Sequence, residues 1–168
     1  EYQILKRSVV LESVTDSKPY DGTALTRPNV TVTGDGFAEG EVANVRATGS
    51  VTTIAEGEVV NTIVYDEGDN FKAGNYDITK KEGKLSITAL SAEDGLVITP
   101  NNAEYTYNAE SHSAGLASAS ASIAGTNVSI EYRVEGSPDA EWRSNPSVIT
   151  AINAGTVTIE VRASADNY

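Results

Sequence analysis

Apolar residues along this chain fall at alternate positions far more often than at helical spacing. The alternation is plain in Val30-Thr31-Val32-Thr33, Leu85-Ser86-Ile87-Thr88, Val128-Ser129-Ile130-Glu131-Tyr132-Arg133-Val134 and Val157-Thr158-Ile159-Glu160-Val161-Arg162-Ala163. A period of two puts successive side chains on opposite faces of an extended strand, so each run predicts a half-buried strand with one wet face. Turn signals separate the runs: Gly34-Asp35-Gly36, Glu39-Gly40-Glu41, Glu56-Gly57, Glu67-Gly68-Asp69-Asn70, Glu82-Gly83, Gly136-Ser137-Pro138-Asp139 and Asn153-Ala154-Gly155. Punctuation at roughly eight- to twelve-residue intervals predicts short antiparallel strands in a sandwich, with no helix beyond a single turn. Residues 114–125, rich in Ala and Ser, carry the least pattern and fit either a thin strand or a flexible loop.

Internal recurrence sets the expected organisation. Gly74-Asn75-Tyr76-Asp77-Ile78 is echoed by Asp166-Asn167-Tyr168 and by Tyr2-Gln3-Ile4, at spacings of 92 and 74 residues. Lys18-Pro19-Tyr20-Asp21-Gly22-Thr23 is echoed by Tyr105-Thr106-Tyr107-Asn108-Ala109-Glu110. The expectation is an all-β chain of two tandem Ig-like antiparallel β-sandwich modules, residues 1–90 and 91–168, joined through Ala89-Leu90-Ser91. A chain of 168 residues lets each half bury a modest core. The start at Glu1, without Met or a leader-like segment, reads as a monomeric piece cut from a larger protein.

Charge narrows the partners. With 24 acidic against 12 basic residues the formal charge is −12, and no basic run exceeds Lys80-Lys81. Nucleic acid is excluded as a partner because its affinity rests on neutralised phosphates, and an anionic membrane surface is disfavoured for the same reason. No stretch approaches the length of a membrane-spanning helix. The absence of cysteine rules out disulfides, thiolate metal sites and a thiol nucleophile.

Few constellations invite chemistry. Trp142 with Tyr105, Tyr107 and Tyr132 could stack on a sugar ring, which makes Trp142 and Tyr132 the ligand-binding candidates; the competing role for Trp142 is to anchor the core or cover a sheet edge. Asp66, Glu67, Asp69 and Asn70 crowd one loop, but the spacing fits no EF-hand frame, and a solvated turn is the preferred reading. A Lys-to-Asn isopeptide staple could be drawn from Lys18 or Lys84 with Asn61 or Asn75. The lone histidine, His112 between Ser111 and Ser113, lacks a nucleophile-elbow pattern and reads as part of a polar loop. No catalytic residue, metal site or cofactor is expected.

Lys18-Pro19-Tyr20-Asp21-Gly22-Thr23, Val30-Thr31-Val32-Thr33-Gly34, Ala47-Thr48-Gly49-Ser50-Val51-Thr52, Asn61-Thr62-Ile63, Gly74-Asn75-Tyr76-Asp77-Ile78-Thr79 and Gly83-Lys84-Leu85-Ser86-Ile87-Thr88 together resemble the YDG and mostly-β glycine-rich repeats of bacterial surface adhesins. The second half, with Tyr132, Trp142, Pro146, Ala154-Gly155-Thr156 and Asn167-Tyr168, resembles bacterial Ig-like repeats. It departs from the pattern where Asn108-Ala109 replaces Asp-Gly, and where Gly136-Ser137-Pro138-Asp139 replaces a Gly-Gly turn. The resemblance implies extracellular display in tandem arrays on a bacterial cell, without catalysis, as a stalk or adhesive spacer; any contact with a host glycan or protein falls to exposed loops. A carbohydrate-binding module and an accessory domain of a secreted enzyme are the alternatives.

Overall fold

The computed structural model describes residues 1–138 and 141–168, with the side chain of Ala92 left aside. Strands make up 43% of the chain, and the longest helix among the described residues is the single turn Ala92–Gly95, so the protein is all-β. The chain divides into two compact units, Glu1–Ala89 and Leu90–Asp166 with Tyr168.

The first unit contains β1 (Arg7–Ser13), β2 (Asp16–Pro19), β3 (Leu25–Thr26), β4 (Val30–Gly34), β5 (Val42–Ala47), β6 (Ser50–Val51), β7 (Val59–Val60), β8 (Ile63–Glu67), β9 (Tyr76–Lys81) and β10 (Lys84–Thr88). They form two three-stranded sheets, β4-β1-β9 and β2-β10-β7, and two strand pairs, β3-β6 and β5-β8. Two of these ladders depart from the antiparallel expectation: β1 runs parallel to β9, with Arg7 opposite Tyr76 and Leu11 opposite Lys80, and β2 runs parallel to β10. Alternation along a strand fixes which face is wet but carries no information about the direction of its neighbour.

Both parallel ladders belong to the same two stretches of chain. Residues 7–19 and 76–88 run side by side, pair in one sheet, bend together near Val14 and Gly83, and pair again in the other sheet. Each sheet has its own core. Val9, Leu11, Ile63 and Tyr76 form the first, flanked by Phe37, Tyr65, Phe71 and Ile78. Leu25, Val51, Leu85 and Ile87 form the second, flanked by Tyr20 and Val59.

Where the two stretches bend, the backbone polar groups of several elements meet in the interior and need partners. Asn61, with no exposed surface, supplies them. Its side-chain oxygen accepts from the Gly49 N–H at 3.0 Å, and its amide nitrogen donates to the carbonyls of Val14 at 3.2 Å and Arg27 at 2.9 Å. Its backbone N–H donates to the Gly83 carbonyl at 2.8 Å, while its own carbonyl accepts from the Ser13 hydroxyl at 2.6 Å. That hydroxyl accepts in turn from the Gly83 N–H at 2.9 Å. Glycine is required at the crossing for lack of space: a Cβ on Gly83 would lie 2.4 Å from the carbonyl carbon and oxygen of Val14, and one on Gly49 would lie 2.7 Å from Asn61 Cα.

The second unit contains β11 (Leu96–Thr99), β12 (His112–Ser113), β13 (Ser118–Ala121), β14 (Val128–Val134), β15 (Thr150–Ala151) and β16 (Ile159–Ala165). Its ladders are all two-stranded and antiparallel: β11-β13, β12-β15 and β14-β16. The Ala- and Ser-rich stretch forms β13, a strand of small side chains. The run expected at residues 157–163 is realised two positions later as β16. Of the turn expected at Gly136-Ser137-Pro138-Asp139, the last residue lies outside the described residues. Buried apolar side chains are sparse here, chiefly Ala117, Tyr132 and Pro146.

Replacing Asn61 by Ala strands the Gly49 N–H and two carbonyls in the interior, each costing about 1–3 kcal/mol. We expect the unfolding midpoint of the first unit to drop by about 10 °C or more, and Gly83→Ala to destabilise the unit through the clash with Val14. Asn75→Ala, in an exposed turn, should leave the midpoint within about 2 °C; thermal unfolding followed by circular dichroism measures all three.

Candidate functional site

In the antiparallel pair β14-β16, directly opposed residues share a face. Tyr132 opposes Val161 and Ile130 opposes Ala163 on one face; Glu131 opposes Arg162 and Arg133 opposes Glu160 on the other. The polar face is a charge ladder, in which the Arg162 guanidinium donates to Glu131 at 2.8 Å and Arg133 pairs with Glu160. A backbone bridge between Tyr132 and Arg143, 2.8 Å in both directions, holds the chain at Trp142 beside β14. The half-buried indole then meets both cations, with the guanidinium carbons of Arg133 and Arg162 at 4.7 and 4.2 Å from its centroid, well within cation–π range.

The two candidate ligand residues therefore lie on opposite faces of one strand. Tyr132 is 2% exposed, and its hydroxyl accepts from the Ala117 N–H at 3.1 Å. Trp142 sits on the charged face and turns ring surface toward guanidinium groups. Alternating charges in the two strand runs were the signal for this ladder; the position of Trp142 over it was not legible, because it depends on a bridge to a residue outside either strand.

Tyr105 and Tyr107 lie with Tyr132, and away from Trp142, along a cleft of about 810 Å³ in the second unit whose walls include His112, Ser113, Thr150 and Ala151. The Tyr105 ring stacks on His112 at 4.3 Å, and its hydroxyl donates to the Ser113 carbonyl at 3.0 Å. The Nε2 of this histidine lies 2.8 Å from Asn108 Oδ1. Its immediate partners are thus an aromatic ring and an amide, not the serines that flank it.

Of the remaining candidates, Asp66, Lys84, Lys18 and Asn61 are occupied by neighbours of their own. Asp66 accepts from Asn44 at 2.7 Å and from Arg46 at 3.4 Å, and these contacts, Asn44 first, hold its carboxyl below the usual range. No three acidic or histidine side chains gather around a possible metal position among the described residues. Lys84 Nζ pairs with Glu58 at 2.8 Å, which raises its pKa, and Lys18 Nζ donates to Asp21 at 2.7 Å and Thr23 at 2.6 Å. Neither ammonium meets an asparagine; Asn61 is committed to the backbone crossing.

The motif Lys18-Pro19-Tyr20-Asp21-Gly22-Thr23 is a turn closed by one carboxylate. Asp21 Oδ1 accepts from Lys18 Nζ, from the Thr23 hydroxyl at 2.7 Å and from the Thr23 N–H at 2.9 Å, across Gly22 at φ +77°. Lys18 first, then Thr23, lowers the Asp21 pKa to about 2. The second unit repeats this turn with other residues: Asn108 Oδ1 accepts from the Glu110 N–H at 3.0 Å, across Ala109 at φ +65°.

A further group went unseen in the sequence because its members are scattered along the chain. Phe37, Tyr65, Phe71 and Tyr76 assemble at one end of the first core, with Phe71 stacked on Tyr76 at 5.4 Å and Lys80 Nζ 5.1 Å from the Tyr65 centroid. The Tyr76 hydroxyl donates to Glu41 at 2.5 Å, which raises its pKa, and accepts from the Ala38 N–H at 3.1 Å.

Comparison with known protein families, with curated proteins and with solved structures finds no match. Among the described residues no helix is long and apolar enough to cross a membrane.

Two predictions concern the paired turns. Because the folded pKa of Asp21 is depressed from 3.8 to about 2, its contribution to stability is complete above about pH 4 and is lost as pH falls toward 2. Carboxyl-carbon NMR titration should place Asp21 near 2 in the native chain and distinctly higher, though still below 3.8, after Lys18→Met combined with Thr23→Val, which leaves the Thr23 N–H as donor. At the second turn, Ala109→Gly removes the strain of a Cβ in the left-handed region and should stabilise the unit by about 0.5–1 kcal/mol in denaturant unfolding.

Proposed function

We propose that this chain is a non-catalytic structural segment, a stalk or adhesive spacer, of a bacterial cell-surface protein built from β-sandwich modules of the Ig-like kind. The adhesin-repeat resemblance of the first unit motivates the cellular setting. The carrying observation is mechanical: the entering and leaving stretches of the first unit, residues 7–19 and 76–88, lie parallel and are hydrogen-bonded in both sheets. Tension applied at Arg7 and Thr88 pulls these neighbours in opposite directions along their length. Every ladder bond then resists together instead of opening one by one, which is what a spacer under load needs.

Two further features fit. A formal charge of −12 keeps displayed copies apart and soluble. The conspicuous polar groups, Asp21, Asp66, Lys84 and Asn61, are engaged in turns, ion pairs and backbone support, and none converges with others on a cleft. Contacts with a host glycan or protein would then fall to exposed loops or to other parts of the parent protein.

Since the chain has no cysteine, engineered thiols give unambiguous handles for single-molecule stretching. The pair Arg7→Cys and Thr88→Cys loads the parallel ladders in shear, whereas Pro19→Cys and Thr88→Cys, at directly opposed positions, unzips them. We expect the shear pair to unfold at several-fold higher force at equal pulling speed. Equal forces in the two geometries would remove the mechanical basis of the reading.

A further inference from the structure

The ladders of the two units correspond, with one systematic difference. Pair β1-β4 matches β11-β13, pair β3-β6 matches β12-β15, and pair β5-β8 matches β14-β16, each antiparallel and in the same chain order. The Asp21 turn matches the Asn108 turn, down to the left-handed residue that follows. What the second unit lacks among its described residues is any strand in the places of β9 and β10, the leaving stretch that joins both sheets of the first unit, and with them β2 and β7, whose only ladder partner is β10.

Its surfaces are open where those strands would lie. Counting back nine positions from the tyrosine before each turn pairs Leu11 with Ile98; Leu11 is fully buried beside β9, whereas Ile98 is 38% exposed on a strand that, among the described residues, forms a ladder with β13 alone. Tyr20 is half-buried against Leu85 and Ile87 of β10, whereas its counterpart Tyr107 is 62% exposed in a stretch that joins no ladder. Leu85 and Ile87 share one core with Leu25 of β3, Val51 of β6 and the flanking Tyr20. The matching space, bounded by β12, β15 and Tyr107, is the 810 Å³ cleft.

Tyr168 holds a place like that of Tyr76 at the head of β9. Tyr76 opens β9 opposite Arg7, and its hydroxyl accepts from Ala38 N–H just beyond β4. Tyr168 lies against Gly95 just before β11, close enough that a Cβ there would stand 2.1 Å from its ring, and its hydroxyl accepts from Ile123 N–H just beyond β13 at 3.1 Å. Both tyrosines follow an asparagine.

We propose that the second unit is an acceptor for one extended segment of the β9-β10 kind, leading on from Tyr168. The segment adds a parallel strand to the open edge of β11, bends, and places a Leu-x-Ile pair in the cleft beside Tyr107. Strand addition supplies backbone bonds, and the alternate side chains supply selectivity. Charge favours the match: residues 76–88 carry Lys80, Lys81 and Lys84 against Asp77 and Glu82, while the second unit holds ten carboxylates against three arginines. This inference concerns the acceptor alone and stands whether or not the parent protein bears load.

The test extends the full chain after Tyr168 with a copy of residues 77–88, so that Asn167-Tyr168 takes the part of Asn75-Tyr76. A control extension carries Asp in place of the residues copied from Ile78, Leu85 and Ile87. We expect the unfolding midpoint of the second unit to rise by about 10 °C or more with the native extension and by less than about 2 °C with the control. Amide exchange at residues 96–99 and 105–108 should slow at least tenfold only in the former. No rise and no protection would overturn the proposal. So would concentration-dependent protection of the same amides in the unextended chain that disappears on deleting residues 1–6, since the occupant would then be the exposed Tyr2-Gln3-Ile4 segment of a second copy.

Discussion

The first unit depends on one polar interaction in its interior, the set of hydrogen bonds that Asn61 makes where two stretches of chain cross from sheet to sheet. A strand that changes sheets has to bend, and at the bend its peptide groups leave the regular ladder. In an apolar interior each unmatched group costs more than a typical made bond contributes. One carboxamide with an acceptor and two donors, helped by the Ser13 hydroxyl, serves five chain segments at once. Glycine at positions 49 and 83 is the steric counterpart, because the backbones approach too closely for any Cβ.

This arrangement explains why the first unit has two small cores instead of one. Val9 and Leu11 serve the first core before the bend, and Tyr20 packs against the second after it; on the partner stretch Tyr76 precedes the bend, and Leu85 and Ile87 follow it. The crossing couples the two cores, so neither can open without breaking the hub. In the second unit the corresponding antiparallel pairs are in place, but the stretch that would tie its two halves is not among its strands, and buried apolar side chains are correspondingly few. The contrast between the units follows from the presence or absence of a single segment.

Charge and aromatic residues are distributed to match. On β14-β16 the cross-strand pairs Glu131–Arg162 and Arg133–Glu160 neutralise two cations that then hold the indole of Trp142. Partly exposed pairs of this sort contribute little singly, but a planar ring laid across two of them restricts both side chains together. In the first unit the aromatic residues do different work, closing one end of a core with Tyr76 hydrogen-bonded to Glu41.

The strands at the alternating runs were legible in the sequence, since period-two alternation is a local consequence of the pleat: Val128–Val134 became β14 without change, and Val30–Gly34 and Lys84–Thr88 follow their runs, whereas the short strands between carried no such pattern. The Asp21 turn was legible as a motif because its donors lie within five residues of each other. The candidate site was not: Tyr132 and Trp142 look alike as aromatic residues, and only the pairing with β16 and the bridge to Arg143 put one inside and the other over guanidinium groups. The parallel pairing of residues 7–19 with 76–88, the assembly of Phe37 with Phe71, and the role of Asn61 were likewise decided by tertiary structure. Each joins residues far apart in the chain through contacts whose geometry leaves no periodic trace. By itself the sequence determined where the alternating runs extend and where turns separate them; the fold decided which strands meet, in what direction, which faces are covered, as the exposed Val32 of β4 shows, and which polar groups are buried.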